Sequence, residues 1–105
     1  MTDKSIEKKI IDRIISKADP DKIILFGSRA QKKHKENSDY DICVLKKDLK
    51  NKRKLSKELY LALLGLKVSV DLIVDTPNFF EKNKNNPFFI YSEINTNGKI
   101  LYEKK

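Results

Sequence analysis

Three short apolar runs, separated by stretches with helical periodicity, predict an α/β (α+β) fold: a sheet with its helices packed on one face. The runs are of strand length, at 22–26, 39–45 and 68–74, and no segment repeats or reads as a linker. Ile6, Ile10, Ile11, Ile14 and Ile15 recur at helical spacing among charges, with Ser5 as N-cap. They predict an amphipathic helix over 5–17 that Ala18-Asp19-Pro20 stops. Lys22-Ile23-Ile24-Leu25-Phe26 is the first strand, ended by Gly27, and the polar residues 32–38 form a loop. The second strand follows at 39–45. Leu49, Leu55, Leu59, Leu63 and Leu66 line one face of a second helix over 49–66, with Gly65 at its end. The third strand, 68–74, is rich in β-branched residues. Thr76-Pro77 then opens a helix, with Thr76 as N-cap and Pro77 in the first position. A further helical turn or two follows Pro87, and 99–102 form a short last strand after Asn97-Gly98.

The chain has 105 residues, which suits one domain spanning 1–105. Its 39% hydrophobic content argues against disorder. A single cysteine, Cys43, excludes an internal disulfide framework and a cysteine-based zinc site. No apolar run approaches the ~18 residues of a membrane span, and the first residues lead into no signal-peptide core. These features predict a soluble cytoplasmic domain. The formal charge is +8, yet Lys outnumbers Arg 20 to 3 and Asn occurs 8 times, a bias that AT-rich codon usage produces on its own. Arginine is the usual reader of base edges and the bidentate phosphate clamp, so this surface points to nucleic acid less than its charge suggests.

Three carboxylates break the apolar pattern. Asp39 and Asp41 are two residues apart on the second strand, so their side chains leave the same face. Asp71 lies inside the third strand between Val70 and Leu72, where a buried charge is costly unless paired or bound to metal. If the two strands are neighbours, the three acids converge. Hard oxygen ligands at that density suit Mg²⁺ or Mn²⁺, and two ions ~3.5–4 Å apart are the usual arrangement for phosphoryl chemistry. Gly27-Ser28-Arg29-Ala30 directly follows a strand and is read as opening a helix. Gly27 lets the backbone approach a ligand, Ser28 offers a hydroxyl, amides at a helix start hold phosphate oxygens, and Arg29 adds a positive group.

Taken together, these residues resemble a known family. Phe26-Gly27-Ser28-Arg29-Ala30, ten residues between Ser28 and Asp39, and then Ser38-Asp39-Tyr40-Asp41-Ile42 look like the signature of the minimal nucleotidyltransferases (MNT). This group belongs to the DNA polymerase β-like nucleotidyltransferase superfamily. Val70-Asp71-Leu72-Ile73 matches as the third acidic strand and Ile100-Leu101-Tyr102-Glu103 as the ending, so the likeness covers almost the whole chain. One departure is that Gln31-Lys32 stands where the family often has arginine and glycine. The resemblance implies a mixed-sheet nucleotidyltransferase fold with its site on the open face. It implies that Gly27 and Ser28, with Arg29 nearby, bind the triphosphate of ATP. Asp39 and Asp41 would ligate two Mg²⁺ ions, and Asp71 would bind the catalytic metal and help deprotonate the acceptor. Many members are antitoxins beside a HEPN ribonuclease toxin, and some transfer AMP to a toxin tyrosine.

The expectation is therefore an Mg²⁺-dependent nucleotidyltransferase that adenylylates a hydroxyl on a HEPN-type toxin partner, in a hetero-oligomer with it. The alternatives are an antitoxin that acts by binding alone, and nucleotidyl transfer to an RNA 3′ end or a small molecule. Scarce arginine and the lack of an acceptor-binding domain weigh against RNA. Among the remaining residues, His34 reads as a solvated loop residue, Cys43 as a small buried hydrophobe and Tyr40 as core. Asp75 reads as a strand-end residue rather than a fourth ligand. Pro87-Phe88-Phe89-Ile90-Tyr91 reads first as core packing of the last helix, and second as a partner-binding face.

Overall fold

The computed structural model describes residues 3–31 and 39–105; Lys32, His34 and Ser38, singled out above, lie outside the described residues. The elements run α1 (Asp3–Ala18), β1 (Lys22–Phe26), β2 (Tyr40–Leu45), α2 (Lys52–Ala62), β3 (Val70–Asp75), α3 (Pro77–Asn83), α4 (Ile90–Asn97) and β4 (Lys99–Glu103). The strands form one mixed sheet in the order β3-β2-β1-β4. β1 is antiparallel to both its neighbours, and β2 is parallel to β3.

The central strands are apolar on both faces because both faces are covered. Ile23, Leu25, Ile42 and Val44 pack under Ile10 and Ile14 of α1 and Leu59 of α2. Ile24, Phe26, Cys43 and Leu45 pack against Phe80 of α3 and Tyr91 and Ile94 of α4. Full burial of each such side chain stabilises the fold by roughly 1.5–3 kcal/mol. The mixed sheet is that expected, but the expectation that the helices pack on one face is corrected. Helices occupy both faces, since the second apolar face of β1 and β2 must also leave water. On that second face α3 and α4 leave exposed the end that carries Asp39 and Asp71.

Local chemistry sets the helix ends. α2 starts at Lys52 rather than Leu49 because the Asn51 side chain accepts the Lys54 N–H at 3.0 Å. It stops at Ala62 rather than Leu66. Arg13 of α1 donates to the carbonyls of Ala62 (3.0 Å) and Leu64 (2.7 Å), satisfying acceptors a helix end leaves open. α3 begins as expected, with Thr76 accepting the Phe79 N–H at 3.2 Å and Pro77 in the first turn.

The reading of 87–91 as core is corrected. Phe88 is 92% exposed, and Phe89 and Ile90 are also exposed; only Tyr91 turns inward. Two-sided burial also accounts for Cys43, which is fully buried. Burial, and after it the Asp75 carboxylate, pushes its thiol up to about 12. The reactive thiolate is therefore scarce at neutral pH. Iodoacetamide should leave Cys43 unmodified in the folded protein and label it once guanidinium is added. Intact mass reads the result, and rapid labelling under native conditions would contradict this packing.

Candidate functional site

Strand register brings the predicted acids together. Phe26 of β1 pairs with Asp41 of β2, and Asp41 pairs with Asp71 of β3, so the two carboxylates stand side by side across a parallel pair. Strands in such a pair lie about 4.8 Å apart. Asp39, two residues before Asp41, shares its face by strand alternation. Asp39 and Asp71 are exposed and Asp41 is half-buried, so Asp71 is not the buried charge its strand position suggests. The Asp41 carboxyl is raised from its ordinary value, first by burial, then by the negative charges of Asp71 and Asp39.

Gly27 is fitted to this group. It follows β1 with φ +73°, in the left-handed region that favours glycine. A Cβ on it would overlap Asp41 Oδ2 and stand 3.2 Å from Asp41 Cγ. The strand-end backbone and the carboxylate thus approach as closely as they do because no side chain intervenes. Ser28 is exposed beside them, and residues 28–31 form a turn rather than the expected helix start. Any phosphate contact here would come from turn amides and the Ser28 hydroxyl rather than from a helix end.

Arg29, expected to add a positive group near the nucleotide, packs against the core side of the turn. It is only 9% exposed, and its guanidinium carbon lies 3.9 Å from the centre of the Tyr40 ring. Tyr40 is buried among the residues under α1 and α2, on the face opposite Asp41. Arg29 therefore anchors the 28–31 turn to the core by a cation–π contact. Tyr40 is core, as expected.

Among the described residues, no three His, Cys, Asp or Glu side chains are gathered closely enough to hold a metal ion as they stand. The charges of Asp39, Asp41 and Asp71 act against one another, and a bound cation would offset that repulsion. Their donor set is all oxygen and anionic, which fits a hard ion such as Mg²⁺ or Mn²⁺.

The burial of Asp75 was missed. It ends β3 as expected, but it is 5% exposed and accepts a 2.6 Å hydrogen bond from the Tyr91 hydroxyl. Its Oδ1 accepts the Thr76 N–H at 2.9 Å, and Lys52 Nζ lies 3.3 Å from Oδ2. Burial and this bond raise the Tyr91 hydroxyl above its ordinary value. The cluster ties α2 and α4 to the strand that carries Asp71. The useful sequence signal was parity: Asp75 shares the face of apolar Ile73, which a helix covers.

A family model described as Polymerase beta, Nucleotidyltransferase matches residues 8–105. The crystal structure of a toxin–antitoxin with AMP-PNP is 32% identical, with a TM-score of 0.64 over 94% of this chain and 74% of that one. A mutant of the toxin–antitoxin MntA-HpeT carrying two Asp-to-Glu changes is 30% identical, with a TM-score of 0.60 over 94% and 74%. The toxin–antitoxin MntA-HepT is 30% identical, with a TM-score of 0.56 over 96% and 73%. No curated protein sequence matches the chain. Among the described residues no helix is long and apolar enough to cross a membrane. With Gly27 closed against Asp41 and three aspartates on one sheet end, the chain belongs to the polymerase β nucleotidyltransferase family, as a minimal nucleotidyltransferase.

Proposed function

We propose that this chain transfers AMP from ATP to a hydroxyl on a partner protein, as the antitoxin paired with a HEPN-type ribonuclease toxin. The observation that carries this is the convergence of Gly27, Asp41 and Asp71 at one end of the sheet. A protein that acts by binding alone has no physical need for carboxylates that repel one another. The likeness to a toxin–antitoxin with AMP-PNP supports the nucleotide and the kind of partner.

In this reading the turn at Gly27 and Ser28 holds the triphosphate, and Asp39 and Asp41 are the residues that would hold Mg²⁺. Asp71 takes the proton as the acceptor oxygen attacks the α-phosphorus. A phosphorus–oxygen bond forms to the acceptor, the α–β anhydride bond breaks, and pyrophosphate leaves with the electron pair. When bound, Mg²⁺ neutralises charge on the attacking and leaving oxygens. Arg29 and the Asp75–Tyr91 pair act on position, not on the reacting atoms.

The test incubates α-labelled ATP and Mg²⁺ with this protein and any small helical protein that a neighbouring gene encodes. Label is expected on that partner with wild type and not with Asp39→Asn. A stable complex without label on partner, RNA or the chain itself would favour binding alone. Label on RNA would replace the protein acceptor.

A further inference from the structure

The protein carries a second built surface, away from the carboxylates and independent of the transfer reaction. A groove of about 580 Å³ runs between α2 and the edge strand β3, lined by Arg53, Lys57, Tyr60, Leu61 and Val74 among others. A second groove, of about 420 Å³, shares Tyr60 and continues past Leu64 to Val70. Arg53, Lys57 and Leu61 follow one another at four-residue spacing and form a stripe on α2, and exposed Leu64 follows in the turn just beyond its end. The stripe is cationic at its start and apolar at its end. Leu61 is 59% exposed and Leu64 68%, and among the described residues no acidic side chain lines either groove. Lys52 is held by Asp75, whereas Arg53 and Lys57 pair with no acid among the described residues.

We propose that this stripe docks an amphipathic helix of a partner protein, with acidic residues set against Arg53 and Lys57 and apolar anchors over Leu61 and Leu64. Three observations select that occupant. The Leu72 N–H on the outer edge of β3 donates to the Tyr60 hydroxyl at 2.9 Å, which removes a main-chain donor that strand addition would use. Exposed leucines gain from an apolar partner and nothing from a phosphate backbone, which argues against RNA. A second copy of this chain brings another +8 and sets Arg53 and Lys57 of one copy near those of the other. The occupant is therefore anionic and apolar by turns, along the edge strand that bears Asp71.

The test titrates the full chain with three probes: a helical peptide with a leucine stripe and glutamates at one end, the same peptide with lysines for glutamates, and a single-stranded oligonucleotide. The glutamate peptide should bind, weaken with added salt, and shift amide resonances of α2. Arg53→Glu with Lys57→Glu should weaken it by about tenfold or more and restore the lysine peptide. Both residues are exposed on a helix, and the charge-swapped peptide tests the point on wild type even if the variant does not fold. Equal binding of both peptides, tighter binding of the oligonucleotide, self-association through this face, or no binding to any probe would overturn the proposal.

Discussion

Gly27→Ala should lose both stability and transfer, while Gly65→Ala should lose only stability. Both glycines hold a positive φ, +73° and +91°, and an alanine there costs about 1–2 kcal/mol in backbone strain. The surroundings differ. A Cβ at position 65 meets nothing within 4 Å, whereas one at position 27 overlaps the Asp41 carboxylate. That overlap must be relieved by moving the strand end or the carboxylate, and both belong to the proposed site. A shift of about 1 Å in reacting groups costs on the order of 10²-fold in rate. Thermal melts should show both variants lowered by several degrees, at ~4–8 °C per kcal/mol for a domain of this size. Labelled-ATP transfer should separate them, near wild type for Gly65→Ala and down ~10²-fold for Gly27→Ala. Equal transfer by the two would mean that the approach of Gly27 to Asp41 has no catalytic purpose.

What could be read from residues alone depended on whether the signal was local. β1 and β2 were readable because Ile23 to Phe26 and Ile42 to Leu45 are apolar throughout, and only a doubly covered strand accepts that. The start of α3 was readable because Thr76 and Pro77 carry their own cap. The facing of Asp41 and Asp71 was readable only on the condition that β2 and β3 are neighbours, which their register supplies. Features set by distant partners were not. The end of α2 depends on Arg13, 49 residues away from the carbonyl it takes. The glycine and serine beside Arg29 say nothing of the Tyr40 ring on which its guanidinium stacks, since that contact is made by packing across the sheet. Phe88, Phe89 and Ile90 looked like core by composition; Phe89 instead stays exposed, its ring near exposed Phe79 and the outer side of buried Tyr91.

Asp41→Asn should abolish transfer and stabilise the fold, and the pairing of those outcomes is the sharper test. The substitution keeps the side chain's size but removes its charge, so loss of a metal-holding carboxylate should lower transfer by about 10²–10³-fold. Stability should move the other way. The Asp41 carboxyl is raised from its ordinary value by burial, Asp71 and Asp39, so the folded state binds its proton more tightly than the unfolded chain does. The ionised form therefore weighs against folding. That cost is fully present above the folded-state value and is relieved as the pH falls through it. Asp41→Asn should melt a few degrees above wild type at neutral pH, a gap of under about 1 kcal/mol because the group is half-exposed and screened. The gap should close on acidification through the carboxylate range. Mg²⁺ should close it from the other side, raising the melting temperature of wild type but not of the variant. A variant less stable than wild type at neutral pH would mean that Asp41 is held by a favourable partner rather than strained by its neighbours. The three aspartates would then be a structural network, and the case for catalysis would lose its physical basis.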